Sequence, residues 1–457
     1  MTARLPETYR SRMERLLGEE MPAYLASLEE RPRAGLRVNA MKLSAGEFLS
    51  RSPFILEPVP WCDCGFVLAG EERASRHPWY AAGLYYLQEP SAMAPAAFLP
   101  VEPGDTVLDL CAAPGGKSTA LGAKLGGTGF LLSNDVSRSR SRALLRNLEG
   151  FGIGNMAVSC ELPEKLASLF PGRFDKILVD APCSGEGMFR REPSMVPAWE
   201  KRGPEEFAPL QRSILTAAAA LLAPGGKLLY STCTFSEEED EDNVLWLLEQ
   251  HPELSLVPVE KTGGMEDGRK GLSGCARFYP HRTVGEGHFL ALFEKSADAL
   301  LPQGQASSFP ADRRSVAEIL GTDPVFSRIG RDFDGCDAVV KGDLLYAVPK
   351  GAPLDRSLGY LRTGLLLGEI KKHGFEPYQA LAMTLSPQTF SSCVDLPSED
   401  VRVIRYLKGE TVDLAPGEAA GDEGWILVCT DGFALGFAKR TGLRLKNKYH
   451  AGWRWQA

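Results

Sequence analysis

At 457 residues the chain is too long for one hydrophobic core, which points to roughly two to four domains. Its 44% hydrophobic and 24% charged residues describe a globular chain, and the longest apolar stretch, "ILTAAAALLA" at 214–223, is too short to span a membrane. A net charge of −8 weighs against a chain that coats nucleic acid indiscriminately, but leaves room for a local basic face.

The opening "MTARLPETYRSRMERLL" has no apolar signal core, so a cytosolic location is expected. Ten scattered cysteines do not make a disulfide scaffold. Residues 1–75 form a first unit with clustered arginines: Arg10, Arg12, Arg15, Arg31, Arg33 and Arg37. Within it, "LRVNAMKLSAGEFL" reads as a strand followed by a helix. Cys62 and Cys64 form a C-x-C with no second pair nearby, so two ordinary half-buried thiols are expected there rather than zinc.

From about residue 104, within a unit placed at 76–295, strand and helix alternate. "DTVLDLCAA", "GFLLSND", "NMAVSC", "DKILVD", "GKLLYSTC" and "HFLALFEK" read as strands. Helices fall between them at "GGKSTALGAKL", "SRSRSRALLRNLEGF", "PEKLASLF", "EEFAPLQRSILTAAAALLA" and "SEEEDEDNVLWLLEQ". The alternation implies an α/β fold whose parallel sheet is covered on both faces, with ligands at the carboxyl ends of its strands. The acidic run Glu237–Asp242 is read as the start of the last helix, with Ser236 and Glu239 as a capping box. A linker is expected at 296–314, a small α+β unit at 315–390 and a β-rich unit at 398–457.

Two loops carry chemistry. "DLCAAPGGKST" joins a strand to a helix, and its glycines let the backbone approach a ligand. A phosphate-wrapping P-loop needs glycine where Cys111 stands. Asp135 ends the next strand, where an acid can bind both hydroxyls of a ribose or cap a helix. NAD and S-adenosyl-L-methionine both carry a ribose, and the G-x-G-x-x-G pattern of NAD sites is absent. The second loop, "DAPCSGEG", brings Asp180 and Cys183 to a strand end, and "STCTFS" brings Cys233 to the end of the following strand. Cys183 can be a nucleophile, a metal ligand or a small core residue. Two thiols and an acid beside a sulfonium cofactor suit methylation of cytosine at carbon 5. A thiolate adding at carbon 6 activates carbon 5, and a carboxylic acid at the N3/N4 edge stabilises the adduct. No further Cys or His stands at ligand spacing from Cys183 or Cys233, so no metal is expected.

The motifs "DLCAAPGGKS", "DAPCSGEG" and "YSTCTFS", with "YLQEPSAM" upstream, resemble those of the RNA 5-methylcytosine methyltransferases of the NOL/NOP/sun group. The final "GWILVCTDGFALGFAKRTGLRLKN" resembles the last domain of its small-subunit ribosomal RNA methyltransferase F type. The resemblance implies a Rossmann-like methyltransferase sheet, an N-terminal RNA-binding segment and a C-terminal PUA-like barrel. It implies S-adenosyl-L-methionine as donor, with Cys233 as nucleophile, Cys183 in product release and Asp180 at the cytosine edge. Cys111, Ala112, Ala113, Pro114, Gly115, Gly116, Lys117, Asp135, Arg140 and Asp180 would hold the cofactor. The family's adenine-side Asp is replaced here, and Glu161 is the nearest acid. The basic, acid-free 433–457 favours polyanion contact through Lys439, Arg440, Arg444, Lys446 and Lys448. Arg138, Arg142 and Arg146 recur at helical spacing and are either part of the RNA face or a solvated surface. The expected substrate is RNA, 16S ribosomal RNA or the small ribosomal subunit, bound by a monomer. Transfer RNA methylation and non-catalytic RNA binding are the alternatives.

Overall fold

The computed structural model describes residues 5–70, 73–300 and 314–456, so most of the expected linker lies outside the described residues. At its centre is a ten-stranded sheet. Its main strands are β1 (Thr106–Asp109), β2 (Phe130–Asn134), β3 (Met156–Ser159), β4 (Phe174–Asp180), β5 (Leu222–Thr232), β6 (His288–Lys295) and β7 (Tyr360–Thr363). They lie in the order β6-β5-β4-β1-β2-β3-β7. The run from β5 to β3 is parallel, and β6 and β7 flank it antiparallel. The chain moves outward from β1 to β3 and then returns to β4 on the other side of β1. That reversal opens a crevice at the carboxyl ends of β1 and β4.

Alternate residues of each strand go to opposite layers, as a period of two requires. Leu108, Ile177, Val179 and Leu228 pack with Leu215 and Ala218 of a helix at Pro204–Leu221. Val107, Leu131, Leu178 and Leu229 pack on the other face. There they meet Leu121 of α1 (Gly116–Lys124) and Leu144 and Leu148 of α2 (Arg138–Phe151). Each such side chain contributes roughly 1.5–3 kcal/mol on burial, so the crevice stands on a rigid base.

The N-terminal four-stranded sheet runs past residue 75, because Tyr85–Leu87 pairs with Gly35–Val38. Four strands between Cys336 and Pro377 form a sheet of their own, and β7 leaves this region to cover the edge of β3. The last five-stranded sheet includes Gly424–Thr430, Phe433–Thr441 and Arg444–Asn447.

The acidic run departs from its expected role. The helix starts at Glu241, and Ser236 Oγ accepts the Glu239 amide at 3.3 Å without a reciprocal bond from the Glu239 side chain. Glu239, Asp240 and Glu241 are each 0% exposed, so they do not form a solvated dipole cap. Asp240 accepts the Thr232 hydroxyl at 2.6 Å, and Glu241 forms a two-pronged pair with buried Arg277. Tertiary partners have overridden the local helix-start pattern.

Candidate active site

The loop after β1 holds its shape through glycines and side-chain ties. Gly115 has φ 111°, and a Cβ there would lie 3.1 Å from Leu144. Glycine is the residue that adopts this backbone without strain. Asp135 accepts the Ala113 amide at 3.2 Å on one oxygen and the Ser137 amide at 2.9 Å on the other. It thus joins the loop after β1 to the start of α2, and a carboxylate has further lone pairs for ribose hydroxyls. Arg140 donates to Ala113 O at 2.6 Å and lies 3.6 Å from Asp135. Burial pushes the Cys111 thiol up and keeps it neutral.

Asp180, at the end of β4, is the hub of the crevice. One oxygen takes the Lys117 ammonium at 2.6 Å and the other the Ser231 hydroxyl at 2.8 Å. His288 Nε2 stands 3.7 Å from the second oxygen, and the ring is 3% exposed. Neither ring nitrogen of His288 makes a hydrogen bond among the described residues. Burial pushes the Asp180 carboxyl up, but Lys117 and His288 outweigh it and hold it below the usual range. Asp180 is therefore an ionised acceptor in the free protein.

The register of β4 and β5 pairs Asp180 with Ser231, so the two following loops leave the sheet side by side. Both cysteines are half-buried, with Cys183 Sγ and Cys233 Sγ 3.2 Å apart. The Cys233 amide also points at Cys183 Sγ, at 3.4 Å. Contact with Cys233, then burial, pushes the Cys183 thiol well up, so Cys183 keeps its proton.

Beneath the thiols lies a buried polar network that the sequence does not announce. One Glu239 oxygen accepts the Ser184 amide at 2.9 Å and Gln211 Nε2 at 2.8 Å, and the other meets the Ser184 hydroxyl. Gln211 Nε2 also donates to Pro182 O at 2.9 Å. These bonds fix the residues on either side of Cys183. Burial pushes Glu239 up to about 7. Arg37, one of the clustered N-terminal arginines, is buried and donates to Gly116 O at 2.8 Å and Thr119 Oγ1 at 2.7 Å.

Two groups of expected contact residues have partners within the free protein. The Glu161 carboxylate accepts the Gly359 amide at 2.6 Å and Lys165 Nζ at 3.0 Å, which ties it to the approach to β7. In the last domain, Lys439 pairs with Glu376 at 2.9 Å and Arg444 with Asp413 at 3.1 Å. Arg440 donates to Gly421 O at 3.0 Å. Lys446 lies exposed and opposite Lys439 in register, and Lys439 and Lys448 approach the Trp425 ring at 4.7 and 5.5 Å. Among the described residues, no cluster of His, Cys, Asp and Glu could hold a metal, and no helix is long and apolar enough to cross a membrane.

The residues fit S-adenosyl-L-methionine. The glycine cradle, the Asp135 carboxylate and the ionised Asp180 converge at the carboxyl ends of the strands. Asp109 Oδ1 at the base of the loop takes no hydrogen bond among the described residues.

Residues 96–294 match the family described as 16S rRNA methyltransferase RsmB/F. Residues 5–90 match the N-terminal domain of 16S rRNA methyltransferase RsmF. Residues 327–385 match the RsmF first C-terminal domain, and 393–455 its PUA domain. The chain is 31% identical to ribosomal RNA small subunit methyltransferase F of Cronobacter sakazakii, over 97% of this chain and 95% of the relative. It is 30% identical to the protein of that name from Aliivibrio fischeri, over 97% and 96%. Among solved structures, a methyltransferase homologue from Pyrococcus horikoshii is 29% identical, with TM-score 0.56 over 64% of this chain and 95% of that one. NSun6 from Pyrococcus horikoshii, solved with SFG, shares the fold at 23% identity, with TM-score 0.57 over 65% and 100%. The chain belongs to the ribosomal RNA small subunit methyltransferase F family and is an S-adenosyl-L-methionine-dependent RNA cytosine-5 methyltransferase.

Proposed function

We propose that Cys233 is the nucleophile and Cys183 the group that releases the product, on cytosine of 16S ribosomal RNA. The 3.2 Å approach of the two sulfurs is the observation that carries this reading. The Cys233 thiol releases its proton to solvent as its sulfur adds to carbon 6 of the ring, and the displaced pair of the 5,6 double bond gives carbon 5 enamine character. Bound S-adenosyl-L-methionine supplies the electrophilic methyl group. Asp180, ionised, accepts from the exocyclic amine and aligns the N3/N4 edge, while Lys117 holds its carboxylate in place. The carbon-5 proton then passes to solvent water, its bonding pair re-forms the 5,6 double bond, and the carbon–sulfur pair leaves on Cys233. Cys183, still protonated, donates to the departing thiolate.

Cys111 to Lys117, Asp135 and Arg140 shape the cofactor cradle. Glu161 acts on the adenine end through the loop that it fixes to Gly359. Lys439, Arg440, Arg444, Lys446 and Lys448 supply part of the RNA contact. The reacting groups all come from one chain, which supports action as a monomer, and the ribosomal substrate supports a cytoplasmic setting.

Incubation with methyl-labelled S-adenosyl-L-methionine and 16S ribosomal RNA, assembled small subunits or transfer RNA tests the substrate. Label is expected in 16S ribosomal RNA, free or assembled. Label confined to transfer RNA would overturn the ribosomal assignment.

A further inference from the structure

Away from the thiols lies a cleft of about 370 Å³ built from three regions of the chain. Tyr80 and Tyr86 come from the N-terminal region, Arg146 and Asn147 from α2, and Trp453 and Trp455 from the C-terminus. Tyr80 is 37% exposed, and Tyr86 and Trp455 are half-buried, so the cleft presents aromatic faces rather than a closed core.

Arg146 is the cation in the cleft's lining, no acid among the described residues lines it, and further arginines stand on the surface around it. Arg138, Arg142, Arg146 and Arg454 are exposed, and none forms an ion pair among the described residues. Glu149, the one acid of α2, is buried and paired with Arg362 at 2.9 Å. The outward face of α2 is therefore positive along its length. From Arg138 to Arg146 that face runs roughly 12 Å at the helical rise, about the span of three or four stacked nucleotides.

The cleft touches the active site physically. Asn147 donates to Pro114 O of the cofactor loop at 2.8 Å and reaches the Tyr86 hydroxyl at 3.4 Å. A Cβ on Gly116 would lie 3.1 Å from Tyr86. The start of α2 borders the cofactor crevice through Arg140, and its end lines the cleft.

We propose that this cleft stacks one or two unpaired bases of the substrate RNA, on the strand that runs along α2 from the target cytosine. Aromatic faces with unpaired arginines match single-stranded nucleic acid, whose bases stack and whose phosphates supply the missing anions. Duplex RNA keeps its bases inside and cannot fill the cleft. The proposal rests on the RNA-methylating reading and adds to it a second place where the substrate is held. It also gives a reason for the docking of the N-terminal and C-terminal regions on α2, since neither closes the cleft alone.

The test uses the full chain and a single-stranded RNA of about ten nucleotides. Affinity and thermal melting are measured for Tyr80→Ala with Trp455→Ala, for Trp455→Phe, and for Arg142→Ala with Arg146→Ala. A 4-thiouridine version of the RNA maps photo-crosslinks. The aromatic pair should weaken binding by roughly five- to 150-fold for each base stacked, while Trp455→Phe retains most of it. The arginine pair should lower the salt slope by about 0.7 for each phosphate that is no longer neutralised. Crosslinks should fall on Tyr80, Tyr86 or Trp455. Wild-type affinity in the Tyr80→Ala with Trp455→Ala variant, when that variant melts like the wild type, would overturn the proposal, as would crosslinks confined to other surfaces. If small subunits instead crosslink the cleft to a ribosomal protein, the RNA occupant is wrong. RNA binding absent from the wild type would contradict the function itself, a result distinct from any of these.

Discussion

Glu239→Gln should change how stability depends on pH. The Glu239 side chain is fully buried, and burial raises its carboxyl from 4.5 to about 7. Between those values the folded chain keeps a proton that the unfolded chain releases. Stability contributed by this group is therefore complete below about 4.5 and is lost as pH rises through about 7. At about 1.4 kcal/mol per pH unit, the loss is about 3 kcal/mol. Glutamine copies the protonated form: its carbonyl accepts from the Ser184 amide and Gln211, and its amide faces the Ser184 hydroxyl. It does not titrate. Urea unfolding of both proteins at about pH 5 and about pH 8 isolates this group, because all others are shared. The variant should gain on the wild type by about 3 kcal/mol across that interval. A difference that stays constant with pH, or moves toward the wild type, would refute the reasoning.

Two further perturbations probe other parts of the molecule. Arg277→Met leaves Asp240 and Glu241 buried without their cation and should cost about 3–5 kcal/mol in chemical unfolding; a change under about 1 kcal/mol would show that the acids are held by other means. Lys446→Ala with Lys448→Ala should weaken RNA binding and reduce the log–log salt slope by about 0.7 for each phosphate that either lysine neutralises; unchanged affinity at low salt would remove the C-terminal patch from the RNA surface.

Much of the catalytic sheet was legible because its strands are short apolar runs that end in motif residues. The neighbouring positions of Cys183 and Cys233 followed from parallel pairing of consecutive strands. The acidic run was not legible. Ser236 and Glu239 have the spacing of a helix start, and the partners that bury this run, Ser184 and Arg277, lie 55 residues before Glu239 and 36 after Glu241. Glu161 shows the same limit, since Gly359 is 198 residues away. The C-terminal cations appeared unopposed because no acid lies within 433–457, yet Glu376 and Asp413 reach them from outside that stretch. Local pattern reveals elements and strand ends; it does not reveal which distant side chain neutralises a charge. The His288 imidazole gave no sequence signal either, because its importance lies only in its 3.7 Å approach to Asp180 across β5.

The division of labour between the thiols is tested most directly by isolating covalent protein–RNA complexes. Wild-type, Cys183→Ala and Cys233→Ala proteins are incubated with 16S ribosomal RNA and S-adenosyl-L-methionine, then denatured and resolved. Cys183→Ala should accumulate a complex, because attack proceeds while release of the thiolate is slowed. Cys233→Ala should form no complex and transfer no methyl group. A complex that survives Cys233→Ala and disappears in Cys183→Ala would reverse the two roles and contradict the account.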